Sequence, residues 1–371
     1  MILVVANTII GKQGNIGYRI GKVLTSGPDL DYFVLARGLS GGYRGYSFGI
    51  FGLISRCLNG VRRYILPRFN SRRYDIMLFN IVCIIYYVLL VKRRYQIKTV
   101  YVCETSSFLI RYFKKEGYKI VLDVAIAPSS HIISILDKYP LKGIYYNSYL
   151  NQQESESFQL AHTIIVPSEY IAKILRDRGF GASVRKIPFG TDFDEKLTTA
   201  TYQKKKENEF VTFGYLGNIS PRKGSEQLLE GWQKGADRIC NKLILQGRLY
   251  PSLRYIHKIE NVEIRKFGDK IAFYEDIDVL ILPSFMEGSA KVIYEAVAHG
   301  IPVYASEFSG APFFDQYGIH LLSGIDAFSI ASDIKKISKS YKGRLNIRYV
   351  KSFQEQYSWK NYSQRVGLLL K

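Results

Sequence analysis

The stretch that decides the fold is Leu282-Pro-Ser-Phe-Met-Glu-Gly-Ser-Ala-Lys-Val-Ile-Tyr-Glu-Ala-Val-Ala-His-Gly-Ile-Pro-Val303. Its apolar start predicts a buried strand that Pro283 ends, and residues 290–299 predict a helix that Gly300 stops. Glu287 then precedes the helix N-terminus, and Glu295 lies in the second turn. Because helix N-terminal amides and the positive end of the dipole attract anions, the stretch predicts a site for an anionic ligand, above all a phosphate. Two solvated carboxylates on a packing helix are the alternative.

Short apolar strands alternate with helical patterns along the rest of the chain. The predicted strands are 2–6, 34–36, 100–103, 120–123 and 164–166, then 210–216, 242–246, 262–265, 279–282 and 302–305. Helices are predicted at 15–24, 225–234 and 290–299, and the polar residues 196–208 fit a linker. Repeated βα units predict parallel sheets flanked by helices. A chain of 371 residues suits two domains, since single cores stop growing at about 250–300 residues.

The deciding stretch resembles the E-x7-E segment of the retaining family-4 glycosyltransferases of the GT-B fold. It departs from the usual form of that segment only at Ser289 and Ala290, where the family has Phe and Gly. The resemblance implies that Glu287 and the amides that follow it, those of Gly288, Ser289 and Ala290, hold the donor sugar and the distal phosphate. It implies that Glu295 binds the ribose hydroxyls.

The resemblance also implies an α/β architecture in which two Rossmann-like parallel-sheet domains face each other across a cleft. Residues 1–195 would form the N-terminal acceptor-binding domain and residues 196–350 the C-terminal nucleotide-sugar-binding domain. Residues 351–371 would form a C-terminal helix that packs back on the N-terminal domain. Residues 188–192, Pro-Phe-Gly-Thr-Asp, resemble the family's turn before the interdomain linker.

A second motif, Gly217-Asn-Ile-Ser-Pro-Arg-Lys-Gly224, is similar to the family's G-R-L-x-x-x-K-G. The resemblance implies that Lys223 neutralises the diphosphate and stabilises the leaving group. Asn218 occupies the place of the family's arginine, and Arg222 is either its substitute or a solvated residue at a helix start. The glycines at 217 and 224 would allow close backbone approach.

Further along the donor domain, Arg248 follows a strand at the edge of the sheet where ligands bind. It is a further candidate for binding the donor, and the alternative is an arginine that is simply exposed on the surface. The base is expected near residues 265–267. That segment does not distinguish uracil from guanine, and UDP is the preferred nucleotide.

Asp123 and His131 are candidates for orienting the sugar or the acceptor hydroxyl. Family-4 enzymes often have a histidine after the strand that ends here at Asp123, and His131 is the next histidine in this chain. Structural roles are the alternative for both, and Glu104 is a further candidate.

The first loop, residues 11–17, resembles the family loop whose glycine amides approach the donor phosphate and the acceptor. Gly14 and Asn15 are the candidates for these contacts, with Lys12 and Arg19 as cations that reach a phosphate. For Lys12 and Arg19, a role in forming the turn is an equal alternative to contact with a phosphate.

The pattern of acidic residues and cysteines excludes some chemistry. No carboxylate pair suits a glycosidase, and no cluster of ligands has metal spacing, so we expect neither a metal nor a cofactor apart from the nucleoside diphosphate sugar. The four cysteines (Cys57, Cys83, Cys103, Cys240) are expected to be reduced core residues of a cytosolic protein. In the family, the leaving phosphate oxygen is thought to accept the proton of the acceptor on one face of the sugar.

The net charge is +20, and most of it lies in the first half, where Lys and Arg outnumber Asp and Glu by 26 to 11 over residues 1–190. Between residues 48 and 73, arginines alternate with aromatic and aliphatic residues (Phe48, Arg56, Arg62, Arg63, Tyr64, Leu66, Arg68, Phe69, Arg72, Arg73). This pattern favours an anionic membrane surface. A helix needs about 20 apolar residues to span a bilayer. The apolar residues 76–91 are fewer than that and are interpreted as a buried helix. No nucleic-acid module is recognisable.

Taken together, the sequence predicts a metal-independent, retaining glycosyltransferase. It would act at the inner face of the cytoplasmic membrane on a lipid-linked or glycan acceptor in bacterial surface polysaccharide biosynthesis, such as O-antigen, capsule or exopolysaccharide. A sugar-nucleotide epimerase of the same fold, which would not need the basic aromatic region, is one alternative. A non-catalytic membrane- or polyanion-binding protein on a GT-B scaffold, suggested by Asn218, is the other.

Overall fold

The computed structural model describes residues 1–12, 16–49, 57, 71–103, 106–139, 141, 148–193, 211–236, 241–250, 253, 259–313 and 317–371. Within them the chain forms two parallel sheets, one in each half, with helices packed on both faces. The predicted two-domain α/β architecture is confirmed.

The N-terminal sheet has seven strands in the order β3-β2-β1-β4-β5-β6-β7. They are β1 (Ile2–Ile10), β2 (Tyr32–Leu39), β3 (Gly45–Ser47), β4 (Thr99–Cys103), β5 (Lys119–Asp123), β6 (Thr163–Val166) and β7 (Val184–Lys186). The helices are α1 (Ile16–Ser26), α2 (Ser71–Tyr86), α3 (Ser107–Lys115), α4 (Ser129–Lys138), α5 (Ser148–Leu160) and α6 (Glu169–Leu175). Two π-helical turns, Tyr87–Val91 and Arg176–Phe180, extend α2 and α6.

The C-terminal sheet has six strands in the order β10-β9-β8-β11-β12-β13. They are β8 (Val211–Leu216), β9 (Asn241–Gln246), β10 (Val262–Arg265), β11 (Val279–Leu282), β12 (Val303–Ala305) and β13 (Ile319–Leu321). The helices are α7 (Ser225–Gly235), α8 (Lys270–Asp276), α9 (Lys291–Ala298), α10 (Ala327–Ser340), α11 (Ile347–Gln356) and α12 (Trp359–Leu370). Short 3-10 turns lie at Pro221–Lys223 and Glu307–Ser309.

Strand β1 shows why the sheets are parallel and buried. Leu3 and Val5 pack into the core on one face of the N-terminal sheet, whereas Ile2 and Val4 pack into the core on the other face. Side chains of a strand alternate between faces, so a strand covered on both sides must be apolar throughout. This explains the unbroken apolar runs in the sequence.

The chain crosses between the domains at two places that are hydrogen-bonded to each other. The Thr191 amide donates to the Tyr357 carbonyl at 2.8 Å, and Thr191 and Ser358 form a parallel bridge. Helix α12 then packs on the N-terminal domain, where the Ser363 hydroxyl donates to the Lys22 carbonyl at 2.9 Å. The predicted return of the C-terminal helix is confirmed.

The crossing comes later than the predicted boundary at residue 351. Helix α11 still belongs to the C-terminal domain, because Phe353 is fully buried in its core. The Gln354 side chain also donates to the Ala298 carbonyl at 2.7 Å. The returning segment therefore begins at Ser358.

The interpretation of residues 76–91 as a buried helix is wrong for one of its faces. Phe79, Cys83, Tyr87 and Val91 are buried, but the opposite side of the helix is exposed. By length and composition alone Arg73–Val91 could cross a membrane, and only 28% of its most apolar part is buried inside the protein. The helix is therefore apolar on both its buried and its exposed face.

Two other expectations about the first half change. Phe48, predicted on a membrane surface, is buried in the N-terminal core, and Cys57 is exposed rather than buried. Residues 50–56 and 58–70, which carry Arg56, Arg62, Arg63 and Arg68, lie outside the described residues, as does Cys240.

Candidate active site

The candidate donor site lies at the carboxyl ends of two neighbouring strands. Strands β8 and β11 pair in parallel, so the segments that follow them reach the same edge of the sheet, where ligands bind in such folds. A Cβ on Gly224, whose φ is +70°, would lie 2.0 Å from the Pro283 carbonyl oxygen. This approach requires a glycine, and it brings the two sequence motifs together.

Glu287 lies between two cations of the other motif. The Lys223 ammonium pairs with the Glu287 carboxylate, and both side chains are mostly buried, with exposed fractions of 14% and 13%. Arg222 Nη1 lies 3.3 Å from Glu287 Oε1 and donates to the Met286 carbonyl at 2.6 Å. Charge-assisted contacts of this kind hold a site in place before a ligand arrives.

At the start of helix α9, one of the amides that the resemblance assigns to the donor already has a partner within the protein. The Ala290 amide, which the resemblance assigns to the donor, donates to the Ser309 carbonyl at 3.0 Å. By helix geometry the amides of Lys291 and Val292 lack an intrahelical partner, and the N-cap provides no side chain for them. The Ser289 hydroxyl is buried and donates to Tyr294 at 2.9 Å, so this side chain stabilises the loop.

Glu295 is buried, and its carboxylate accepts hydrogen bonds from two side chains of helix α8. Lys270 Nζ donates to its two oxygens at 2.9 and 2.8 Å, and the Tyr274 hydroxyl donates at 3.0 Å. Burial is the main reason that the pKa of Tyr274 is raised, so its hydroxyl keeps the proton that it donates. Sequence reasoning missed Lys270, although its position directly after the helix N-cap Asp269 was a usable signal.

The loops after β8 and β9 approach each other closely. A Cβ on Gly247, with φ +156°, would lie 1.7 Å from the Gly217 carbonyl oxygen. The Arg248 carbonyl accepts the amide of Ile219 at 2.9 Å. The side chains of Asn218 and Arg248 are both exposed at this edge. The cluster that Glu287 forms with Lys223 and Arg222, called the Glu287 cluster below, includes neither of these two side chains.

Two predicted residues of the N-terminal domain bind each other. Arg19 Nη2 lies 2.8 Å from Asp123 Oδ1, with side-chain exposed fractions of 5% and 1%. The Tyr101 hydroxyl donates to Asp123 at 2.5 Å. Burial alone would lower the pKa of Arg19, but the Asp123 carboxylate holds it above its ordinary value. The buried pair favours the structural alternative for both residues, and their roles as phosphate ligand and catalytic residue stay predictions.

His131 lies at the start of α4 beside the cleft. Its Nε2 is 2.7 Å from the Tyr170 hydroxyl, and burial lowers its pKa. The Tyr170 ring in turn lies 6.2 Å from the ring of Phe308 in the C-terminal domain. The structure places His131 in an interdomain aromatic cluster, in contact with a tyrosine rather than with Glu287.

The first loop is described only in part. Lys12 is exposed just after β1. Gly14 and Asn15 lie outside the described residues, as does Glu104.

The two domains meet at the loop of Glu287. A Cβ on Gly288 would lie 1.8 Å from the Ala125 carbonyl oxygen of the N-terminal domain, and the Ser168 hydroxyl donates to the Gly288 carbonyl at 2.6 Å. The Glu287 loop is therefore closed against the N-terminal domain. Neither Ala125 nor Ser168 carried any pattern in the sequence that marks such a contact.

Lys291 provides a second interdomain contact. Its ammonium lies 5.3 and 5.2 Å from the ring centroids of Tyr18 and Trp359, within the range of cation–π attraction. Burial lowers the pKa of Lys291. The side chain thus connects the start of α9 to the N-terminal domain and to α12.

Among the described residues, no group of three or more His, Cys, Asp and Glu side chains is arranged to hold a metal ion. Metal independence stays a prediction.

Part of the chain is similar to known glycosyltransferases. Residues 211–339 match the family described as Glycosyl transferases group 1. The capsular polysaccharide biosynthesis glycosyltransferase CapM of Staphylococcus aureus is 27% identical over 234 residues, which are 58% of this chain and 61% of CapM. The match therefore spans less than two thirds of that relative.

Solved structures share the whole fold. Anabaena HepE in complex with UDP aligns over 100% of this chain and 99% of its own, with a TM-score of 0.65 at 14% identity. The lipopolysaccharide outer core galactosyltransferase WaaB aligns over 98% and 97%, with a TM-score of 0.64 at 12% identity. The fold is GT-B, and the comparisons together support a glycosyltransferase of that fold.

Proposed function

We propose that this protein is a metal-independent, retaining glycosyltransferase of family-4 type that transfers a hexose from a nucleoside diphosphate sugar. The observation that carries the proposal is the Glu287 cluster. One carboxylate holds Lys223 and Arg222 beside the N-terminus of α9, and a second carboxylate, Glu295, lies one turn further along. This set matches what a donor with a sugar, a diphosphate and a ribose requires.

The two cations would act on the diphosphate. When the donor binds, Lys223 and Arg222 exchange part of their contact with Glu287 for phosphate oxygens, and the amides at the start of α9 bind the distal phosphate. Negative charge grows on the diphosphate as the glycosidic bond breaks, and preorganised cations stabilise that charge. Arg222 supplies the positive charge that Asn218 lacks.

The two glutamates would position the donor. Glu287, freed in part from its cations, accepts hydrogen bonds from sugar hydroxyls, and Glu295 accepts from the ribose. Because Lys270 and Tyr274 fix the Glu295 carboxylate, the ribose meets a group that is already oriented. Such positioning supplies much of the rate enhancement when the reactants need no protein nucleophile.

The acceptor hydroxyl needs a base for its proton. Asp123 is paired with Arg19 and buried, so it does not provide one. In a reaction on one face of the sugar, the leaving phosphate oxygen takes the proton of the acceptor, and the configuration of the sugar is retained. Closure of Gly288 on Ala125 would exclude water from this step.

UDP is the preferred nucleotide, since Anabaena HepE of the same fold has been solved with UDP and with UDP-glucose. The acceptor is a lipid-linked glycan, consistent with the similarity to CapM, a capsular polysaccharide glycosyltransferase, and with the basic N-terminal half. The protein would then work peripherally on the inner face of the cytoplasmic membrane, in assembly of a bacterial surface polysaccharide.

A thermal-shift screen against UDP- and GDP-sugars tests the donor site, followed by release of nucleotide from the best donor. We expect stabilisation by one nucleotide sugar, and loss of that stabilisation in Glu287→Gln with Lys223→Met. Glu230→Gln, at an exposed position on α7, is the control. No stabilisation by any nucleotide sugar would contradict the proposal.

A further inference from the structure

One side of helix α2 and of the π-helical turn after it is apolar and exposed. The exposed stripe consists of Tyr74, Met77, Ile81, Ile85, Val88 and Leu89. Their spacing of three or four residues puts them on one face of the helix. Residues 76–91 contain no charged side chain, and Met77 and Leu89 are 53% and 69% exposed. A continuous apolar surface of this kind marks a site of interaction.

The opposite face of the same helix fixes it to the N-terminal domain. Phe79, Cys83, Tyr87 and Val91 are fully buried in the domain core. The Asn80 side chain donates to the Ser106 hydroxyl at 2.5 Å. A helix that forms part of a core cannot leave it to cross a bilayer, so the stripe lies along the surface of the domain. Residues 71–91 make it about 30 Å long.

Both ends of the stripe are basic. Arg73 is exposed at the first end, and Lys92, Arg93 and Arg94 are exposed at the other end. The nearby carboxylates of Asp75 and Glu116 are paired, with Arg37 and Lys92 respectively, at 2.5 Å each. Apolar side chains flanked by cations have the composition of a helix that lies in the interface of an anionic membrane.

We propose that the exposed stripe docks the N-terminal domain on an anionic lipid bilayer, with α2 parallel to the membrane plane. The occupant is lipid rather than protein because a standard protein interface buries roughly 800 Å² per partner, more than six partly exposed side chains offer. Residues 76–91 also provide few hydrogen-bonding groups, whereas protein interfaces contain about one hydrogen bond per 100–200 Å². The inference rests on this surface and not on the proposed reaction.

The test is co-sedimentation with vesicles of phosphatidylglycerol mixed with phosphatidylcholine, at low and at high salt. We expect Met77→Gln/Ile81→Gln/Ile85→Gln/Leu89→Gln to lower the partition coefficient at least tenfold, most clearly in the part that resists salt. Glutamine is a good helix former, and these positions are exposed, so the fold should persist. Phe328→Gln/Leu368→Gln, which changes two apolar residues that are 75% and 70% exposed elsewhere, should bind like wild type.

A spectroscopic variant tests the same surface without removing it. The two native tryptophans, Trp232 and Trp359, are buried, so Ile81→Trp adds an exposed reporter. Its emission should shift to the blue with anionic vesicles, and that of Phe328→Trp should not. Unchanged binding of the glutamine variant, or no shift for Ile81→Trp, overturns the proposal. Dimers in the absence of lipid that the glutamine variant abolishes would overturn it in favour of a second copy of the chain.

Donor hydrolysis without acceptor separates this inference from the proposed reaction. The glutamine variant should hydrolyse the donor at the wild-type rate, because the Glu287 cluster lies in the other domain. Lost hydrolysis in that variant, with its binding to vesicles unchanged, would contradict the docking role of the stripe.

Discussion

The Lys270 ammonium contacts both carboxylate oxygens of Glu295, at 2.9 and 2.8 Å. The glutamate to which the family resemblance assigns the ribose is thus already half of an ion pair. Glu295 is buried and Lys270 is 41% exposed, so the lysine holds the carboxylate from the solvent-accessible side.

We expect Lys270→Met to raise the KM for the donor about tenfold (~1.4 kcal/mol), because the carboxylate loses the partner that orients it. The kcat should change little, and Lys270→Arg should restore most of the affinity. Lys336→Met, at an exposed position of α10, is the control. A donor KM that stays at the wild-type value in Lys270→Met would assign the lysine a purely structural role.

Lys223→Ala and Glu295→Ala should each abolish most transfer while the protein stays folded. Each removes one charged contact to the diphosphate or the ribose, which corresponds to roughly 2–4 kcal/mol of transition-state stabilisation. Steady-state kcat/KM measures this, with Lys335→Ala on the exposed side of α10 as the control. If both variants remain within about threefold of wild type, the assignment of the donor site is wrong.

Gly288→Ala should prevent the domains from closing. The added methyl group would overlap the Ala125 carbonyl oxygen, 1.8 Å away, and a backbone oxygen cannot move aside as a flexible side chain can. We expect kcat to fall at least tenfold, with donor affinity by calorimetry nearly unchanged. Gly268→Ala, where the nearest atom is 3.7 Å from the new Cβ, should be as active as wild type. Full activity of Gly288→Ala would show that transfer does not need this contact.

Asp123→Ala should destabilise the protein by about 3–5 kcal/mol, because it leaves the buried Arg19 guanidinium without its partner. Replacing both, as Arg19→Met/Asp123→Leu, should recover a large part of that loss. Urea unfolding followed by the fluorescence of buried Trp359, which packs in this domain, reports the change. If Asp123→Asn folds normally and has lost donor hydrolysis, the interpretation of the pair as structural fails.

Activity should survive an excess of EDTA. In the proposed site, Lys223, Arg222 and the amides of α9 would provide the positive charge for the diphosphate, and the described residues contain no cluster that would bind a metal–diphosphate pair. Transfer assays with and without the chelator measure this. Activity that EDTA abolishes and added manganese or magnesium restores would mean that the proposed chemistry is wrong.

Short apolar runs predicted most of the strands, because strands covered on both faces are apolar throughout, and the family resemblance added the arrangement of the two domains. The edge strands β3, β7 and β13 were missed because none of them contains a run of buried apolar residues. The two donor motifs were found through their resemblance to a known family, and each surrounds a helix start or a close backbone contact that needs particular residues. Long-range partners were not predictable, as the Arg19–Asp123 pair illustrates: the sequence indicates polar residues at strand ends, but not which of them bind each other.

The prediction that residues 76–91 form a fully buried helix was wrong for a related reason. An apolar run without charges is what a buried helix requires, and one face of α2 meets that requirement. The sequence contains no signal that says whether the second face is covered by protein.

The return of α12 to the N-terminal domain has a consequence for synthesis. Val366 and Leu370 are buried in the same core as Ile2 and Val4 of the first strand. The ribosome therefore releases the first strand long before residues 359–370 exist to cover it. The described parts of the C-terminal domain all lie within residues 211–357, so that domain can complete its core first. We therefore expect this face of the N-terminal domain, although it is made first, to be the last part of the molecule to complete its core.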